Sequence, residues 1–452
     1  MRRPKGSAAV RSWSTVALSD RHHRPGRGAM KKIIFANANL IDVDADQSGH
    51  GAITVAGGRI ESIMRGAGVP AVASSESEVF DLQGRSIMPG MFSCHFHASY
   101  PGLPLAAKQL PIGMESAPSL QVLQAAHNAR LALECGYTGV VSAGAPFAID
   151  AALKIAIDSG LTQGPRVMAG SRDISTTGHS LDAFFPWYWE GAIPPSVVNC
   201  DGVDAFRRAV REEVKRGSEI IKVFATSGHG VPGVLGAVDL GSAEFAAITE
   251  AARQRGVMVR AHVANRNGIE LALDVGVDLI DHGDGLDEAL IDRMAAAGTW
   301  FAPSMLFPHR AVQTRKGAVV EVMKAEMEAM LAMLPKANAA GVRIVLGDDY
   351  GSSVLQHGEY GDELDYYVNV VGIPVRDVLR WATRNGAELM GMGGELGALK
   401  AGAIADLIVI DGDPVADITL LRDPANLLAI VRGGAFFKNQ LAAPDRKSGV
   451  AA

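Results

Sequence analysis

The chain has 452 residues, 48% of them hydrophobic and 20% charged, with a net charge of -6. That length accommodates a large catalytic domain plus a smaller one. The charge gives no reason to expect a nucleic-acid partner, and no apolar run is long and uninterrupted enough to span a membrane. Three cysteines (Cys94, Cys135, Cys200) cannot all pair within one chain. Their wide spacing resembles neither a disulfide framework nor a zinc ribbon, so a reducing cytoplasm is the expected compartment.

Residues 1–29 differ from the rest. Arg2, Arg3, Lys5, Arg11, Arg21, Arg24 and Arg27 are nearly unopposed by acid, and no apolar stretch follows them. That argues against a secretory signal. The expectation is a disordered basic tail, or an upstream start taken in place of Met30; a transit peptide is the alternative. From Lys31 to about Arg85 short strand segments alternate with turns, and Gly57-Gly58 reads as a hairpin. The same texture returns at Ala405–Asp411 and Leu428–Gly434. Neither piece is long enough for a sandwich alone. One small β-sandwich domain assembled from both chain ends, residues 30–88 and 396–440, is therefore predicted, with a short tail over 441–452.

Residues 89–395 alternate strands and helices. Predicted strands are Ser86–Met91, Tyr137–Ser142, Arg166–Gly170, Glu219–Phe224, Val257–Ala261, Asp278–Asp281, Thr299–Ala302 and Arg343–Gly347. Helical text separates them, as at Ala205–Arg216, Ala243–Arg255 and Leu286–Ala297. Eight strands with intervening helices over about 300 residues suggest an α/β fold, a (β/α)8 TIM barrel. A doubly wound open sheet is the competing architecture, but no Gly-x-Gly-x-x-Gly fingerprint opens a helix.

The chemistry starts at His95-Phe96-His97. In a strand, residues i and i+2 point to the same side, so both imidazoles can reach one point. Alone the pair is a weak signal. Its weight comes from the polar residues that follow near other strand ends, where barrels carry their functional groups. These are Lys222 within Glu219–Phe224, His262 after the fifth strand, His282 after the sixth, and Asp348-Asp349 after the eighth. A lysine in an apolar run must snorkel, pair with an acid, or be chemically changed. Carbamylation by CO2 would make Lys222 an anionic ligand able to bridge two metals. Four histidines, one carbamate and one carboxylate suit a binuclear site for divalent metals such as zinc.

From Met30 to about Gly434 the chain resembles the amidohydrolase superfamily. The resemblance rests on Pro89-Gly90-Met91 leading into His-x-His, on Ile221-Lys222, Ala261-His262, Gly276–Gly283 and Gly347–Gly351 in that order. The late helix Val375–Gly391 and the segment Gly397–Leu407 also look typical. The chain is most similar to the prolidase-like and imidazolonepropionase-like branch. The resemblance implies two divalent metal ions, zinc first, with Mn, Co or Fe as alternatives. His95, His97 and Asp349 would bind one metal, His262 and His282 the other, with carbamylated Lys222 bridging. A hydroxide between the metals would be the nucleophile, and Asp349 general base, then acid. Asp348 would fill the small position before the catalytic aspartate.

Relatives carry a histidine after strand three that polarises the substrate carbonyl, and His179 stands there; a loop-capping histidine is the alternative. Phe184–Trp189 is a dense aromatic stretch, either a pocket wall or a satellite core under a loop. His229 lines the pocket on this reading but is not expected to be a ligand. The leading function is metal-dependent hydrolysis of an amide-like C–N bond, in an N-acyl amino acid, a dipeptide, or a xenobiotic amide, carbamate or urea. No tyrosine suited to a dipeptide carboxylate follows strand four, which favours a neutral or aromatic substrate. Hydrolysis of an ester, phosphotriester or C–Cl bond is the alternative. A non-enzymatic assembly protein on this scaffold would typically have lost metal ligands, whereas this chain keeps the set. A small-molecule substrate, a homo-oligomeric state, and neither membrane nor nucleic acid complete the expectation.

Overall fold

The computed structural model describes residues 31–43, 47–66, 75–100, 116–184, 188, 196–231, 233–234, 236–314, 316–352 and 354–441. The basic segment 1–29 lies outside them, as do residues 442–452 and most of the aromatic stretch 184–189. No helix among the described residues is long and apolar enough to cross a membrane.

Both chain ends build one sheet. Strands β1 (Lys32–Asp42), β2 (Gln47–Ala56), β3 (Arg59–Arg65), β4 (Ser77–Asp81) and β5 (Ser86–Pro89) form its N-terminal part. The Gly57-Gly58 turn joins β2 to β3 in an antiparallel pair. After the central α/β segment, β16 (Leu407–Ile410) pairs antiparallel with β5, Leu407 opposite Pro89 and Ile410 opposite Ser86. Strands β17 (Leu427–Arg432) and β18 (Ala435–Asn439) extend the same sheet. Alternating side chains of β1 bury Phe35 and Leu40 with Leu407 and Val431 in one shared core. Phe80 and Phe436 meet edge-on there, with ring centroids 5.4 Å apart.

The central segment contributes parallel strands. These are β6 (Met91–Phe96), β7 (Tyr137–Ser142), β8 (Arg166–Met168), β9 (Gly170–Ser175), β10 (Val197–Asn199), β11 (Ile220–Phe224), β12 (Met258–Val263), β13 (Leu279–His282), β14 (Trp300–Ala302) and β15 (Arg343–Ile344). They pair as β6-β7-β8 and as β10-β9-β11-β12-β13-β14-β15, all in parallel register. Backbone contacts link these sets, among them Ala145 N donating to Ser171 O at 3.1 Å between the chain after β7 and β9. Cys94 N donates to Leu346 O at 2.6 Å, joining β6 to the chain after β15, and Glu219 N donates to Ala169 O at 2.8 Å between β8 and β9. Strands β6, β7 and β11 are buried at every position, as expected of parallel strands covered on both faces. Helices between them start on side-chain caps where the sequence supplies them. Asn265 accepts from Gly268 N before Arg266–Val275, and Asp287 from Leu290 N before Glu288–Ala297.

The predicted strand Ser86–Met91 needs correcting. It is two strands, β5 in the outer sheet and β6 in the parallel set, broken at Gly90. A Cβ at Gly90 would collide with the Thr138 side chain, so only glycine lets the chain pass there. Other boundaries shift by a few residues. His262 lies within β12 and His282 ends β13, rather than following those strands. Strand β10 beside β9 was not foreseen.

Gly347 lies at the junction of β6 with the chain after β15. Its φ is 152°, and a Cβ would run into the backbone nitrogens of Cys94 and His95. Gly347→Ala is expected to cost about 3 kcal/mol of stability through this backbone clash. An unchanged urea midpoint would show that the two segments do not press on each other as described.

Candidate metal centre

Each side chain reaches the site from a strand's C-terminal end. His95 and His97 come from the end of β6, as the i and i+2 spacing requires. His262 comes from β12, His282 from β13 and Asp349 from the loop after β15. All five are buried except the Asp349 carboxylate, which is 19% exposed. Asp349 Oδ1 lies 2.9 Å from His95 Nε2 and 3.3 Å from His97 Nε2. The His282 ring is 5.3 Å from that of His95 and 4.4 Å from that of His262, centroid to centroid. His95, His282 and Asp349 each offer a ligand atom within 4.8 Å of the others.

Outer partners fix the tautomers. His97 Nδ1 donates to Gly144 O at 3.2 Å and His262 Nε2 to Gly228 O at 3.1 Å. Ser304 Oγ donates to Gly347 O at 3.0 Å and accepts from His95 Nδ1 at 3.2 Å. The Nε2 lone pairs of His95 and His97 therefore face an anionic oxygen. Only a shared cation, proton or metal, makes that favourable. The buried His282 Nδ1 has no hydrogen-bond partner among the described residues. Burial pulls His95 down to about 4 and lowers His97. Burial, with Lys222 or His229 beside them, holds His262 and His282 well below the usual imidazole range. Neutral imidazole is the ligating form. Burial opposes ionisation of Asp349, yet His95, His97 and His282 hold its carboxyl well below the usual range. Donor types, tautomers and charge thus fit a divalent metal.

Asp348 turns the other way. It is fully buried, and its Oδ2 accepts from the backbone nitrogens of Leu306 (2.8 Å) and Phe307 (3.2 Å). Its Oδ1 accepts from Asp349 N at 2.8 Å. It braces the loop that presents Asp349 and the start of helix Leu306–Thr314.

Lys222 projects from the middle of β11 and is 1% exposed. Its Nζ donates to Asp281 Oδ2 at 2.7 Å. Arg260, fully buried on β12, grips the same carboxylate through Nε (3.0 Å) and Nη2 (2.6 Å). Arg260 Nη1 donates to Cys94 O and Ser142 O, tying β6 and β7 to β12. Burial opposes ionisation of Asp281, but Arg260, Lys222 and His95 keep it firmly anionic. Arg260 and Asp281 were missed at the level of sequence. A signal existed, because Arg260 is a charged residue in an apolar strand two places before His262, on the same face. Asp281 immediately precedes His282, and adjacent strand residues normally point apart. His282 adopts φ 72°, and both side chains reach the same interior.

His179 follows β9. Its Nδ1 is 3.1 Å from Ser175 Oγ, and its Nε2 is 2.9 Å from Asp239 Oδ2 and 3.4 Å from Ser227 Oγ. These contacts run to the loop after β11 rather than to the imidazole cluster.

The model of the amidohydrolase family matches residues 86–436. The chain belongs to that family. Ochratoxinase of Aspergillus niger is 27% identical over 379 residues, covering 78% of this chain and 75% of that protein. Imidazolonepropionase of Chromobacterium violaceum is 25% identical over 433 residues, covering 86% and 92%. Among solved structures, a prolidase complexed with N-methylphosphonate-L-proline superposes with a TM-score of 0.78. It is 26% identical, covering 91% of this chain and all of that one. This amidohydrolase is accordingly a hydrolase of carbon–nitrogen bonds.

Proposed function

We propose that this amidohydrolase cleaves an amide-type bond at a divalent metal centre held by His95, His97, His262, His282 and Asp349, with Lys222 as a carbamate bridging two metals. The parallel strands are read as a closed (β/α)8 barrel, which the Cys94–Leu346 bond supports. The observation that carries the reading is convergence. Four imidazoles, held neutral by burial, and one carboxylate held ionised reach the same strand ends.

When bound, such metals polarise a carbonyl and lower the pKa of water. The chain supplies the rest. Asp349 Oδ1 is placed to take a proton and return it to the leaving nitrogen. Arg260 keeps both Asp281 oxygens bonded, so Asp281 stays satisfied if Lys222 loses its positive charge on carbamylation. His179, seated by Ser175, is assigned to the substrate carbonyl. The substrate is a small molecule with an amide-like bond, zinc is the first metal to try, and assembly as a homo-oligomer is part of the proposal.

The test is zinc- or manganese-loaded protein screened against N-acyl amino acids, dipeptides and aryl amides. About two metals per chain are expected by elemental analysis. Removing them should lower the melting temperature, since each site filled at 100 times its Kd contributes about 2.7 kcal/mol. A chain that binds no metal and keeps its activity in chelator would end this reading.

A further inference from the structure

The loop after β11 brings a carboxylate back to the strand ends. Val238 bridges antiparallel to Thr226, and Asp239 N donates to Ala225 O at 2.8 Å. Ala225 N in turn donates to His262 O at 3.1 Å. Asp239 is thus mounted on the ends of β11 and β12, beside the candidate metal ligands. Its Oδ2 lies 2.9 Å from His179 Nε2. That oxygen is buried and has no hydrogen-bond partner among the described residues, because the ring nitrogen meets it outside hydrogen-bond geometry. The ring is held instead by Ser175 Oγ at Nδ1 (3.1 Å) and Ser227 Oγ at Nε2 (3.4 Å). Buried polar atoms are nearly always bonded, so an orphan acceptor beside a group assigned to the substrate marks where a ligand donor docks.

The surroundings set the charge that fits. The Asp239 side chain is 28% exposed, and among the described residues it pairs with no lysine or arginine. Burial lowers His179 below the usual imidazole range against the pull of Asp239, so the ring does not neutralise the carboxylate. The donor that fits is a cationic N–H, the strongest partner a carboxylate can take. Its place on the substrate follows from His179. The substrate carbonyl oxygen is assigned to that ring, and Asp239 lies one contact further on. A nitrogen on the carbon next to the carbonyl is placed to reach it.

We propose that Asp239 binds an ammonium on the carbon next to the scissile carbonyl, so that the enzyme selects amides of amino acids whose α-amine is free. The inference rests on the amide hydrolysis proposed above. It is tested with full-length, zinc-loaded protein at neutral pH and two probes of nearly the same shape, glycine 4-nitroanilide and propionic acid 4-nitroanilide. They carry an ammonium or a methyl group at this place. Water cleaves each to the carboxylic acid and 4-nitroaniline, whose release is followed by absorbance.

The reading is the ratio of kcat/KM, glycine probe over propionyl probe. In wild type it is expected to exceed that of Asp239→Asn by about tenfold, mainly through KM for the glycine probe. Comparing wild type with variant cancels the difference in intrinsic reactivity between the two anilides. Asp239→Glu keeps the charge and should retain part of the preference. Asp239→Ala carries the comparison if the asparagine variant does not fold. The same ratio in wild type and Asp239→Asn would overturn the inference, whether neither activity changes or both fall together, as they would if Asp239 merely steadied His179. If wild type binds metal but cleaves neither probe, hydrolysis of these amides fails as a function. Calorimetric Kd values for the two probes, in wild type and Asp239→Asn, then decide the role of Asp239 by the same ratio.

Discussion

Asp349→Asn is expected to lower kcat by about 10²–10⁴-fold while leaving the fold intact. The Asp349 carboxylate accepts no backbone N–H among the described residues, and it faces His95 and His97, so asparagine fits without disturbing the loop. What it loses is the charge and the capacity to carry a proton. Asp348→Asn should show the opposite pattern. That carboxylate accepts three backbone N–H groups with both oxygens. An amide nitrogen in place of one oxygen leaves at least one of those donors unpaired, a loss of about 1–3 kcal/mol. Melting temperature and kcat, measured together on both variants, separate the roles. Should Asp348→Asn abolish turnover at full stability while Asp349→Asn stays active, the assignment of the two aspartates is reversed.

Lys222→Ala is expected to lose bound metal and turnover together, with part of the turnover restored by a short-chain carboxylic acid that fills the vacated place. Breaking a buried ion pair usually costs about 3–5 kcal/mol, because the remaining partner is left uncompensated. Here Asp281 keeps both oxygens on Arg260, so the protein should remain folded. Elemental analysis of the variant is the deciding measurement. Two metals per chain in Lys222→Ala would remove lysine from the site, and activity there would have to be explained by the histidines and Asp349 alone.

The sequence carried the strand order and the imidazole cluster for one physical reason. Parallel strands buried on both faces read as apolar runs, and a polar residue at the end of such a run stands out. His95, His97, His262 and His282 all carry that signature. Arg260 and Asp281 carry it too, but they satisfy each other and Lys222, and pairing across β11, β12 and β13 is invisible without the register. His229 is legible only as a pocket-lining residue, because its positive φ and its stack on His282 are not encoded by spacing. The break at Gly90 escaped for a related reason. One apolar stretch, Ile87–Phe92, runs from one sheet into the other, and the Thr138 side chain against Gly90 marks where they part.

The pairing of β5 with β16 has a consequence for how the polypeptide is made. Pro89 waits for Leu407, some 320 residues later, before its edge is covered. At about 5–20 residues per second the ribosome needs roughly 15–60 s to supply that partner. Throughout that interval β5, every residue of which is buried in the finished fold, has an open edge outside the exit tunnel, the kind of edge that recruits strands from other nascent chains. Synthesis in a heterologous host should therefore be limited by chaperone supply and growth temperature more than by the stability of the finished enzyme.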